Sequence, residues 1–164
     1  MSVHSPPRRE RLLQAVVDQV GQSGYQATTI AQITASARVS RTTFYEHFTD
    51  KQDCFLAAYR ELAERLVNTI EQLLDQTPDA HGTEAVLGAL VELAEREPTT
   101  AVILIHEATT AALAGLHERS RLLASIEHAL ERAWQATSTQ PPIPQPPCQS
   151  ARRRRRARTL RASA

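Results

Sequence analysis

Ser40, Arg41, Thr42, Thr43, Tyr45, His47 and Lys51 crowd into one short stretch of the chain. Ser40 is a good N-cap for a short helix over about 41–47. The first turn of a capped helix points backbone N–H groups and short hydroxyl side chains the same way, a geometry suited to phosphates and base edges. Arg41 can pair a phosphate or a guanine edge. Thr42 and Thr43 are short enough for close approach to a thymine methyl or a phosphate. Tyr45 and His47 are spaced to reach the nucleic-acid backbone from the same helix, and Lys51 adds a phosphate contact from the start of the next one. Taken singly, each fits a solvated polar face. Together they point to duplex DNA.

The elements that must hold these residues are helices. After a short arm over residues 1–7, Leu12, Leu13, Val16, Val17 and Val20 recur at helical spacing. Gly21 weakens the end of that helix and Gly24 is a natural stop. Thr29 followed by Gln32 fits a capping box for a second short helix at about 29–36. A break around Arg38 and Val39 then leads to the helix at 41–47. Asp50 can cap a long connecting helix over 51–76, with a stripe running from Phe55 through Tyr59, Leu62 and Leu66 to Leu74. Further helices are expected at about 83–96, 99–113 and 117–136, with Pro98 and Gly115 as breaks. No convincing strand is present, so the expected fold is all-α. Leu12, Val16, Val20, Ile30, Ile33, Val39, Phe44 and Phe48 should form a three-helix core.

The 164-residue chain has a formal net charge of +1, but the average hides a split. Seven of its 19 basic residues lie between Arg152 and Arg161, while all 18 acidic residues lie at or before Glu131. Residues 1–55 are near neutral and residues 56–140 are strongly acidic, so DNA contact must come from local placement of charge. Cys54 and Cys148 show no metal-ligand spacing and suit a reducing compartment. The N-terminal MSVHSPPRRERLL has no apolar run of the secretory kind, and no stretch approaches the roughly 20 apolar residues of a membrane span. A cytoplasmic location without a membrane partner is expected.

At this point a resemblance becomes specific. The stretch RLLQAVVDQVGQSGYQATTIAQITASARVSRTTFYEHFTDKQDCF resembles the DNA-binding domain of the TetR family. The matching pieces are Gly24-Tyr25, Thr28-Thr29, Val39-Ser40, Phe44-Tyr45, Phe48 and Asp50-Lys51, in order, within about residues 8–60. The resemblance implies a three-helix helix-turn-helix domain at 8–50, followed by an all-helical domain at 51–136 that binds a small effector and dimerises. It implies contacts to a double-stranded operator from Thr29, Ser40, Arg41, Thr42, Thr43, Tyr45, His47 and Lys51. It further implies a repressor released by an effector, whose pocket is expected to involve Leu90, Ile103, His106, Leu113 and Trp134. Two departures stand out. Arg38 occupies a turn position where the family usually has Gly, so it is expected at positive φ. Thr34 stands where Ala is usual, and its hydroxyl needs a partner such as the Ile30 carbonyl.

Other candidates carry less. His106, His117 and His128 lie eleven apart and would align only on one continuous helix, which Gly115 is expected to interrupt; no metal and no cofactor is expected. Cys54 reads as a semi-buried apolar residue. No Gly-rich phosphate loop, nucleophile elbow or convergent acid pair supports an enzyme. Residues 137–164, rich in Pro and then Arg, cannot bury a core and are expected to be disordered. Their arginines suit nonspecific nucleic-acid attachment, or they are an accidental C-terminus from a reading-frame change. Family members continue with two further helices that form a dimeric four-helix bundle. The periodic sequence here stops near Ala136, so the expected homodimer lacks its usual helices. The alternatives to an effector-released repressor are thus a shortened regulator with weak or no operator binding, or a nucleic-acid binder acting through its arginines.

Overall fold

The computed structural model describes residues 6–77 and 81–137. These form seven α-helices and one 3-10 turn: α1 Arg8–Ala27, α2 Ile30–Ala37, α3 Arg41–His47, α4 Lys51–Gln76, α5 Gly82–Arg96, α6 Pro98–Ile105, the 3-10 turn Glu107–Thr110, and α7 Ala112–Thr137. Among the described residues the fold is all-α. The Pro- and Arg-rich segment from residue 138 onward, with its expected disorder, lies outside them.

Local chemistry explains the first four helices. Gly24, at φ +79° and ψ +159°, takes the chain out of helical geometry near the end of α1. Only glycine adopts that conformation without steric cost. Thr29 caps α2 through the full reciprocal box: its Oγ1 accepts from the Gln32 amide, and its own backbone N–H donates to Gln32 Oε1. Ser40 Oγ accepts from the Thr43 amide at 3.0 Å, and Asp50 Oδ1 from the Asp53 amide at 2.8 Å. These caps satisfy helix-end N–H groups that would otherwise need water. Thr34 resolves its hydroxyl as expected, donating to the Ile30 carbonyl at 2.9 Å, with Ala31 O at 3.1 Å.

The later boundaries differ from the sequence pattern. A single helix over 99–113 is not formed. α6 ends at Ile105, and the 3-10 turn carries the chain around a corner. The corner is set by packing, because Ala108 and Ala111 sit in the core. Gly115 is not a break but an interior residue of α7. A Cβ there would stand 2.0 Å from the Ala108 carbonyl oxygen, so only glycine lets α7 lie against the turn. His117 and His128 consequently share α7, while His106 lies before it. Among the described residues no group of His, Cys, Asp and Glu is placed to hold a metal ion.

One apolar core runs through most of the molecule. Leu12, Val16 and Val20 of α1 meet Ile33 of α2, Phe44 and Phe48 around α3, and Phe55, Tyr59 and Leu62 of α4. Ile103 and Leu104 of α6, then Ala108, Ala111 and Leu122, continue the same cluster. Ile30 and Val39, expected inside, pack against it half-buried. A second cluster of Ile70, Leu74, Val86 and Ala129 ties the far end of α4 to α5 and α7. Cys54 is fully buried, deeper than the sequence suggested. Among the described residues no helix is long and apolar enough to cross a membrane.

Candidate nucleic-acid interface

α3 is anchored by two aromatic rings and open on its other side. Phe44 is fully buried and Phe48, at its C-cap, nearly so; their centroids lie 5.8 Å apart. With these rings fixed inward, Arg41, Thr42, Tyr45, Glu46 and His47 are exposed. Arg41, Thr42, Tyr45 and Glu46 recur at the three- and four-residue spacing that places side chains on one helix face. Tyr45 is 59% exposed, its ring edge-on to Phe44 at 5.4 Å. An apolar body on the core with the hydroxyl outward is the arrangement that lets a tyrosine reach a phosphate. Glu46 was not among the expected contacts. An exposed carboxylate on this face repels phosphates but can accept from a cytosine amino group.

The remaining candidates divide between capping and clamping. The hydroxyls of Thr29, Ser40 and Thr43 are engaged in caps: Thr29 Oγ1 donates to Gln32 Oε1 at 2.7 Å, and Ser40 Oγ to Thr43 Oγ1 at 3.1 Å. Ser40 and Thr43 stand at the start of α3 and Thr29 at the start of α2. Lys51 is placed differently from a free phosphate-seeking lysine. Its Nζ donates to the carbonyls of Tyr25 and Thr28 at 2.8 and 2.9 Å, and stands 4.3 Å from the Tyr25 ring centre. Burial pulls its pKa below the ordinary lysine value. Lys51 thus fastens the start of α4 to the α1–α2 corner. Tyr25 itself is buried against Phe55 at 4.9 Å, and burial, then the charge of Asp50, pushes its phenol pKa up.

Arg38 ends α2 in the left-handed region, at φ +54° and ψ +49°. Its N–H still reaches Ala35 O, and Val39 N–H reaches Thr34 O, so the tight turn into α3 closes as a glycine would close it.

The five residues expected to line an effector pocket are not brought together. Ile103 is fully buried in the main core, and Leu90 packs on the second cluster. His106, Leu113 and Trp134 lie at the surface, with Leu113 76% and Trp134 73% exposed. A cleft of about 220 Å³ does open between α4, α5 and α6, walled by Leu62, Leu66, Ala89, Leu93, Thr100 and Leu104, with Arg65 and Glu97 at hand. The sequence pattern could not single it out, because it arises from the crossing of three helices.

Known proteins resemble this chain in sequence and in fold. Residues 12–58 match the family model described as bacterial regulatory proteins, tetR family. The nucleoid occlusion factor SlmA of Idiomarina loihiensis is 30% identical over 115 residues, covering 70% of this chain and 57% of that protein. The SlmA of Shewanella sp. is 30% identical over 131 residues, or 76% of this chain and 64% of that one. The chain therefore spans less than two thirds of the curated relatives it matches. Among solved structures, the fatty acid degradation regulator FadR from Bacillus halodurans superposes with a TM-score of 0.70 at 16% identity, over 80% of this chain and 68% of that one. A TetR family transcription regulator from Marinobacter aquaeolei gives 0.63 at 21% identity, over 96% and 85%. At these identities the structural likeness speaks for the fold.

Proposed function

We propose that this chain, whose residues 12–58 match the family model described as bacterial regulatory proteins, tetR family, is a regulator of that family and represses transcription by laying α3 in the major groove of an operator. The observation that carries this reading is the exposed face of α3, with Arg41, Thr42 and Tyr45 held outward by the buried rings of Phe44 and Phe48. Residues 8–50 form the reading head in this account. Arg41 supplies the base-edge or phosphate contact, Thr42 a close apolar or phosphate contact, and Tyr45 and His47 backbone contacts. The N-termini of α2 and α3, capped by Thr29 and by Ser40 on Thr43, offer phosphates the first-turn N–H groups that the caps leave open, and Lys51 retains one N–H beyond its two carbonyl bonds. Residues 51–136 form the regulatory unit. A small, largely apolar effector is assigned to the cleft between α4, α5 and α6 rather than to the five residues first considered. In the bacterial cytoplasm a second copy bound to the same duplex would add the energy of a second half-site.

The test is selection of bound duplexes from a random pool by the full chain. Affinity for the selected duplex is then measured by fluorescence anisotropy at fixed salt, since phosphate contacts make binding salt-dependent. The combined change Arg41→Ala with Tyr45→Ala should lower affinity for the selected duplex by about a hundredfold or more, and for a scrambled duplex far less. Equal binding of both duplexes by the unaltered chain contradicts the reading.

A further inference from the structure

The carboxylate of Glu107 reaches from the turn between α6 and α7 to the corner between α1 and α2. Its Oε2 accepts the Tyr25 backbone N–H at 2.8 Å, across 82 residues of sequence. The contact is sheltered, since the Glu107 side chain is only 13% exposed. Gly24 shapes the corner that receives it: at φ +79° the chain leaves the helix, and a Cβ there would lie in ordinary contact with Glu107 Oε2, 3.8 Å away. The same corner is gripped from the other side by Lys51, on the carbonyls of Tyr25 and Thr28. Thr28, fully buried, returns its hydroxyl to Gly24 O at 2.8 Å and directly precedes the α2 cap. Tyr25 to Thr29 is thus a short segment clamped at its amide by the helical body and at its carbonyls by α4, with α2 leading from it and α3 packed on α2.

The other end of this connection lies at the effector cleft. Leu104 walls the cleft near the C-terminal end of α6, and its carbonyl accepts from Tyr59 Oη of α4 at 3.3 Å. Glu107 follows three residues later on a four-residue 3-10 turn. An occupant that pushes on α6 therefore moves Leu104 and, through a very short segment, the carboxylate that holds Tyr25. We infer that Glu107 is the positioning residue through which displacement of α6 reaches the helix-turn-helix, a route parallel to the continuous helix α4. The inference rests on the regulator reading above and adds to it one specific contact.

The experiment compares the full chain with Glu107→Ala, Glu107→Gln and Glu107→Asp. The alanine change removes the acceptor. Glutamine keeps an oxygen at the same reach, and aspartate keeps the charge but falls short by one methylene. Two quantities are read well below the melting temperature: hydrogen exchange of the Tyr25 amide by NMR, and affinity for the duplex selected by the unaltered chain. Alanine and aspartate should speed Tyr25 exchange and weaken duplex binding by about tenfold each, with glutamine within about threefold of the parent. Should the alanine variant fail to fold, the aspartate–glutamine contrast carries the result. Parental affinity in the aspartate variant despite faster exchange at Tyr25 overturns the inference, and so does unchanged exchange. If the unaltered chain selects no duplex at all, the regulator reading itself fails, and this inference with it.

Discussion

Replacing Arg38 by glycine should make the protein more stable. Arg38 is the only non-glycine residue with positive φ among the described residues, at φ +54°. Holding a residue with a Cβ in that left-handed region costs about 1–2 kcal/mol. Glycine relieves the strain but gives the unfolded chain extra freedom, which takes back about 0.5–1 kcal/mol. The net gain therefore falls between about 0 and 1.5 kcal/mol, centred on about 0.7 kcal/mol. The Arg38 side chain is exposed, so little packing is lost. For a helical body of this size the gain should raise the melting temperature by about 2–5 °C in a circular dichroism melt. Arg38→Ala is the control: it removes the guanidinium but keeps the Cβ, and should stay close to the parent. A glycine variant no more stable than the alanine variant would refute the assignment of strain to this turn.

Four further outcomes follow from single residues. Lys51→Met should cost about 1.5–3 kcal/mol in denaturant titration, because it strips a charged donor from the carbonyls of Tyr25 and Thr28. Gly115→Ala should be destabilising on balance, the clash of its Cβ with Ala108 O outweighing the roughly 0.5–1 kcal/mol gained from helix propensity; a neutral or stabilising result would contradict the close approach of α7 to the turn. Burial raises the Cys54 thiol from 9.0 to about 12. In a Cys148→Ser background, Cys54 should accordingly react with a disulfide reagent no faster than the protein unfolds. The sign for stability is also fixed. Below pH 9 both states keep the proton. Between 9 and about 12 the unfolded thiol ionises first, so stability falls as pH rises, and Cys54→Ala should flatten that fall.

The helix-turn-helix was legible because its determinants are local. Thr29 with Gln32, Ser40 and Asp50 each announce a helix start within four residues, and Phe44 and Phe48 fall on the periodic inner face. The left-handed turn at Arg38 and the hydroxyl of Thr34 were legible through the resemblance, as departures from the residues usual at those positions of the family. The second half was harder. No Gly or Pro interrupts the chain between Pro98 and Gly115, and the bend after Ile105 is decided by burial of Ala108 and Ala111. Gly115 therefore looked like a break when it is a contact point. The clamps made by Lys51 and Glu107 join segments 23 to 82 residues apart, and no spacing rule reveals such a pair. The cleft walls were missed likewise, since Leu62 and Thr100 share no periodicity and meet only where α4 and α6 pack together.

The central claim is that α3 reads base edges in the major groove. Methylation interference tests it directly: guanine N7 faces that groove, and its methylation removes the acceptor an arginine would use. With the selected duplex, N7 methylation at one or two guanines per half-site should block binding by the unaltered chain. In Arg41→Ala the same methylation should matter much less to whatever affinity remains. Interference absent from the major groove, or an identical pattern in Arg41→Ala and Tyr45→Ala, would contradict the account.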